Sequence, residues 1–188
     1  MRFFIALEIP NKNLPQFQSI EQRLHTLIPQ ARLTDLDKLH LTLAFIADES
    51  PEIKEALVKI MENSSENISP FQVTPAYIDG FPNVHYPQVL WIGVKGDIDK
   101  VLQIRERIKD GLTELRLGAD PRRFIPHITI AKFNNYYKIS REEEVELEKI
   151  MTLPFEPIQI SQFKLFESIP QEGFHKHNTL AEIKLADS

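Results

Sequence analysis

Two short segments carry the residue types that do proton chemistry near neutral pH. His40-Leu41-Thr42-Leu43 and His127-Ile128-Thr129-Ile130 share one pattern: histidine, aliphatic, threonine, aliphatic. On a β-strand, residues i and i+2 point to the same face. Each copy therefore sets an imidazole beside a hydroxyl, while its aliphatic residues turn to the core. Two imidazoles can serve as one general acid and one general base. Two hydroxyls can donate hydrogen bonds to the non-bridging oxygens of a tetrahedral phosphate. This chemistry calls for no metal and no cofactor. One His-x-Thr segment on a half-buried strand would mean little. Two copies make the same costly choice twice, because buried imidazoles and hydroxyls need partners.

The elements that must position these residues are legible as patterns. Segment 38–46 alternates, with Leu39, Leu41, Leu43 and Phe45 on one face and His40, Thr42 and Ala44 on the other. Phe45 is accordingly expected in the core. Segment 124–133 alternates likewise, and parity places Lys132 on the face away from His127, in a structural role. Lys38 shares the parity of His40 and is expected at the mouth of the cleft. Apolar spacings of three and four predict helices over 14–28, from Pro51 onward with Ser50 as cap, over 98–115, and near 140–151 with Ser140 as cap. Further strands are expected at 2–9, 71–79, 88–95, 156–168 and 178–186. His175 and His177 fall between the last two, in what reads as a solvated loop. A His-Lys-His pair with no third ligand is weak evidence for a metal.

The order of elements is not a strict βαβα series, so the chain reads as α+β with mainly antiparallel sheets flanked by helices. Each half holds one His-x-Thr strand and helical segments, as if one architecture were duplicated. No Gly/Ser linker separates the halves, and 188 residues suit a single bilobal domain over 1–188.

Composition sets outer bounds. A hydrophobic fraction of 42% suffices for a substantial core. The net charge of −5 argues against a large nucleic-acid footprint and leaves room for a local basic pocket. With no cysteine, disulfides, thiolate metal sites and a cysteine nucleophile are excluded. No apolar run approaches the roughly 18 residues that span a bilayer. The run after Arg2 is too short for a signal-peptide core, so no membrane association and a cytoplasmic location are expected.

The two motifs, with Arg2-Phe3-Phe4-Ile5-Ala6-Leu7, Val89-Leu90-Trp91-Ile92-Gly93-Val94 and Arg123-Phe124-Ile125-Pro126 around them, resemble the 2H phosphoesterase superfamily. The likeness is to its RNA 2′,3′-cyclic phosphodiesterase family, also called the 2′-5′ RNA ligase family, and it covers almost the whole chain. It implies a bilobal fold around a central cleft with pseudo-twofold symmetry. It implies that His40 is the proton donor and His127 the proton acceptor, with Thr42 and Thr129 holding phosphate oxygens. Arg123 stands where the family often has a basic residue, and would meet the phosphate charge. The implied substrates are RNA ends bearing a 2′,3′-cyclic phosphate, tRNA halves among them, opened to 2′-phosphate ends without a cofactor by a monomer. Run in reverse with a 5′-hydroxyl end, the same chemistry makes a 2′-5′ linkage. Two alternatives stay open: a 2H hydrolase for a small cyclic nucleotide, and a non-catalytic RNA-end binding module. The intact histidines and threonines speak against the second. Phe4 and Trp91 would either stack a terminal base or pack in the core, and their apolar surroundings favour the core.

Overall fold

A computed structural model describes residues 1–118 and 122–186. Strands β1 (Arg2–Glu8), β2 (Arg32–Leu33), β3 (His40–Ile46), β4 (Phe71–Phe81), β5 (Val89–Gly96), β6 (His127–Lys132), β7 (Ile158–Ile160), β8 (Gln162–Gln171) and β9 (Phe174–Lys184) are joined by helices α1 (Leu14–Leu27), α2 (Lys54–Ser64), α3 (Ile98–Glu114) and α4 (Arg141–Ile150). The protein is α+β, as its pattern predicts. All strand pairs are antiparallel, in the order β7-β4-β5-β6-β3-β1-β8-β9, with β2 beside β6. The two expected sheets are thus joined edge to edge. The joint is narrow: β3 and β6 pair at Leu41 and Ile128.

The helices form where the spacing predicts and for the expected reasons. In α1, Phe17, Ile20 and Leu24 are buried on one face. Ser140 caps α4 in a reciprocal box with Glu143, which satisfies two orphan backbone donors. Among the described residues, no helix is long and apolar enough to cross a membrane.

The inward face of α1 also carries a carboxyl. Glu21 is 6% exposed, and burial, reinforced by the nearby Asp35 charge, pushes its pKa from 4.5 to about 7. Between those values the folded protein holds a proton that the unfolded chain has lost, so stability falls as pH rises through this window. The loss comes to about 3 kcal/mol once Glu21 is fully ionised. Glu21→Gln is neutral at every pH. Its urea midpoint should exceed that of the native protein at pH 8, and the advantage should vanish at pH 4. An advantage independent of pH would refute this reading.

The alternation of both motif strands breaks at one place, and at the same place in each. Along β1, Ile5 and Ala6 pair with Ala44 and Thr42, leaving Leu43 as an extra residue in β3. Along β5, Leu90 and Trp91 pair with Ala131 and Thr129, leaving Ile130 as the extra residue in β6. The last residue of each tetrapeptide is thus a β-bulge, which shifts the parity of everything after it. Each bulge carbonyl finds a donor from outside its strand pair. Arg105 Nη1, on α3, donates to the Leu43 oxygen at 2.9 Å, and the Thr34 amide donates to the Ile130 oxygen at 2.9 Å.

Two expectations change as a result. Phe45 does not enter the core; it is 59% exposed and its ring lies 5.9 Å from Phe4, on the same face as His40. Lys132 likewise moves to the face of His127 and Thr129 instead of the opposite one.

Candidate active site

The Leu41–Ile128 pair fixes the geometry of the site. With these two aliphatic residues opposite each other and buried, His40 and Thr42 of β3 and His127 and Thr129 of β6 share the other face. Antiparallel register sets His40 across from Thr129 and Thr42 across from His127. The two histidines are then diagonal neighbours, a relation that on a regular antiparallel pair spans about 7–8 Å and somewhat less between Cβ atoms, the scale of a phosphate held between two rings. All four side chains are half-buried.

Each imidazole is anchored in the same way. Nδ1 of His40 donates to the carbonyl of Lys38 at 2.6 Å, and Nδ1 of His127 donates to the carbonyl of Ile125 at 2.6 Å. A carbonyl only accepts, so Nδ1 carries the hydrogen and Nε2 is left for proton transfer. Aromatic rings back both. Phe4 lies 5.1 Å from His40; Phe81 and Trp91 lie 5.0 and 5.4 Å from His127. Phe4 and Trp91 are 3% and 2% exposed, so both pack in the core, and each packs on a candidate catalytic ring. Gly93, paired with His127, leaves room for the ring of Tyr77 to lie over its backbone, where any Cβ would collide with it. Tyr77 in turn packs edge-on against Trp91 at 5.7 Å.

This apolar backing costs the charged imidazole its solvation. Burial lowers the pKa of His40 below 6.5; the Lys38 carbonyl opposes the shift, the charges of His127 and Lys132 add to it, and Glu8 works against it. Burial also lowers that of His127, against the Ile125 carbonyl and with the charge of Arg122. That His127 acts on His40 through its charge places both in one electrostatic site.

Arg123 is exposed in the segment before β6. Its neighbour Arg122 is the arginine whose charge reaches His127. Lys38 ends a short 3-10 helix, Leu36–Lys38, ahead of β3, so strand parity does not place it; its Nζ lies 3.6 Å from Asp35 and 5.2 Å from the centre of the Phe174 ring. The expectation for His177 fails. The last two strands extend into one hairpin, Gln171 pairing with Phe174, and Gly173 takes the left-handed conformation its turn requires (φ 81°). His177 therefore stands on β9, half-buried, with its ring 4.9 Å from Phe4 and 5.8 Å from His40. The strand expected at 178–186 starts earlier, at Phe174; the mainly polar run before it hid this extension, since an edge strand tolerates polar residues on both faces. Among the described residues, no three His, Asp or Glu side chains are grouped as a metal site would need.

Residues 32–168 match the family model of the 2′-5′ RNA ligase superfamily. The chain belongs to that superfamily. It is similar to the RNA 2′,3′-cyclic phosphodiesterases of Methanocaldococcus jannaschii (25% identical, covering 89% of this chain and 91% of the relative) and Aeropyrum pernix (26% identical, covering 87% and 91%). Among solved structures, a Thermus thermophilus protein superposes with a TM-score of 0.79 at 19% identity over 98% of both chains. E. coli LigT complexed with 3′-AMP gives 0.77 at 20% identity, over 99% of this chain and 98% of that one. At such identities these structures speak for the fold, which they share from end to end.

Proposed function

We propose that the chain hydrolyses the 2′,3′-cyclic phosphate at RNA ends to a 2′-phosphate, with His127 as general base and His40 as general acid. The observation that carries this reading is the matched pair of imidazoles: each Nδ1 is tied to the carbonyl two residues earlier, and the two rings flank one residue pair. His127 Nε2 takes a proton from water as the water oxygen bonds to phosphorus. The bond from phosphorus to O3′ breaks, and His40 Nε2 gives its proton to O3′. Thr42 and Thr129 donate hydrogen bonds to the non-bridging oxygens, and Lys132 and Arg123 meet their charge. The relatives' names support the substrate class. The reverse step, with an RNA 5′-hydroxyl as nucleophile, would form a 2′-5′ linkage at the same site.

The test uses chelator-treated protein with an oligonucleotide ending in a 2′,3′-cyclic phosphate and with a nucleoside 2′,3′-cyclic phosphate. Turnover to the 2′-phosphate is expected. No turnover of either would overturn the reading.

The active form has His40 as imidazolium and His127 neutral, so activity should be bell-shaped in pH. Burial lowers both imidazoles from 6.5 in the free protein, so the maximum of kcat/KM should lie below pH 6.5. A bound phosphodiester anion stabilises the charged imidazole, so the kcat profile should be displaced toward alkaline pH. Rates measured from pH 4 to 9 decide this; a kcat/KM that is flat, or highest above pH 7, contradicts it.

A further inference from the structure

The surroundings of the two histidines differ in kind. His127 is backed by Trp91 and Phe81. His40 has Phe4 on one side and, beyond it, a polar wall drawn from distant parts of the chain. Strand β9 is three positions from β3 in the sheet. In a flat sheet that separation is about 14 Å, yet the His177 ring is 5.8 Å from that of His40. The sheet therefore curls until its edge strand folds over the His40 half of the site. The tip of the same hairpin comes with it: Lys38 Nζ lies 5.2 Å from the centre of the Phe174 ring, which is 54% exposed.

We propose that His177 and Lys38 form a second anion subsite beside His40, which holds the phosphodiester adjoining the cyclic phosphate of an oligonucleotide. This inference rests on the function proposed above and extends it to substrate choice. His40 is the group that protonates the leaving O3′, so the ribose of the terminal nucleotide lies on its side of the cleft. The chain leading away from that ribose carries one phosphodiester per nucleotide, and the polar wall is where it must pass. Two fixed cations, Lys38 and Lys132, act on His177, and so do His40 and His175 when they are protonated. The acidic groups nearby are engaged. Glu8 is bound by Lys164, which also holds Glu182 at 3.3 Å; Asp35, 3.6 Å from Lys38 and largely exposed, is the carboxylate an arriving phosphodiester displaces from that ammonium. His175 meets the Ser168 hydroxyl at 3.3 Å. Burial and this charge keep His177 near a pKa of 4, neutral in the empty site. An arriving anion favours its charged form, so the subsite takes up a proton as it fills.

The quantity to measure is the ratio of kcat/KM for a trinucleotide 2′,3′-cyclic phosphate to that for a nucleoside 2′,3′-cyclic phosphate. In the native protein this ratio should exceed one and rise as pH falls from 7 to 5. His177→Ala should lower it about tenfold, the size of a lost charge-assisted hydrogen bond, with the change in the KM of the trinucleotide. His177→Gln keeps a donor that cannot charge, and should abolish the pH dependence of the ratio. Lys38→Ala should lower the ratio and weaken its dependence on salt. A ratio unaltered in all three variants, or a loss shared equally by both substrates, would overturn the subsite while leaving the proposed function standing. A native protein that opens neither substrate would overturn both.

Discussion

His127→Ala and His40→Ala are each expected to lower kcat by roughly 10²–10⁴-fold, the usual contribution of a positioned general acid or base. The fold should survive both changes. Each ring is half-buried at the surface of the cleft, while the neighbouring Leu41 and Ile128 hold the strands together from the core side. The rings behind them, Phe4 and Trp91, stay buried against other aromatic neighbours, Phe166 at 4.9 Å and Phe81 at 5.0 Å. In the proposed mechanism the two histidines act in one step, so the double variant should lose little more than the worse single one. The pair can also be told apart. A substrate whose leaving oxygen needs no protonation would restore much of the rate to His40→Ala and none to His127→Ala. Steady-state kinetics on chelator-treated protein, with circular dichroism to check the fold, test all of this. A near-native rate in either single variant would remove that residue from the mechanism.

Much of the site is legible in the sequence because strand parity is a local property. His40 with Thr42, and His127 with Thr129, must share a face on any regular strand, and the aliphatic partners must face the core. What the sequence conceals is set by distant groups. The Leu43 bulge is held by Arg105, 62 residues away, and the Ile130 bulge by the backbone of Thr34. Neither partner is visible in a window around the motif. One local trace exists: each tetrapeptide is followed by alanine, so Leu43-Ala44 and Ile130-Ala131 set two small or aliphatic residues in succession where alternation calls for one. All four are buried, as a bulge allows and a regular strand does not. The place of His177 was hidden for another reason. The strand expected at 178–186 begins at Phe174, and this polar first part is recognisable only by its pairing with β8 across the Gly173 turn.

Lys132 tests the bulge directly, because regular parity and the observed register put its charge on opposite faces of the sheet. The register places it with His40, whose proton affinity it lowers, and, in the proposed mechanism, on the side where charge develops on the phosphate. Lys132→Ala should therefore reduce kcat/KM by about 10²-fold, comparable to the loss of one preorganised donor to a transition-state anion. Lys132→Arg should retain most of the rate, since the positive charge is kept. The same substitution has a signature that does not depend on turnover. Removing the positive charge relieves a repulsion on protonated His40, so the His40 pKa must rise in Lys132→Ala. That of His127, which is governed by burial, the Ile125 carbonyl and Arg122, should scarcely move. The imidazole C–H signals followed by NMR between pH 3 and 8 report both. A regular strand would leave Lys132 behind the sheet, screened from the cleft by the core, and the His40 titration would be the same in the variant as in the native protein.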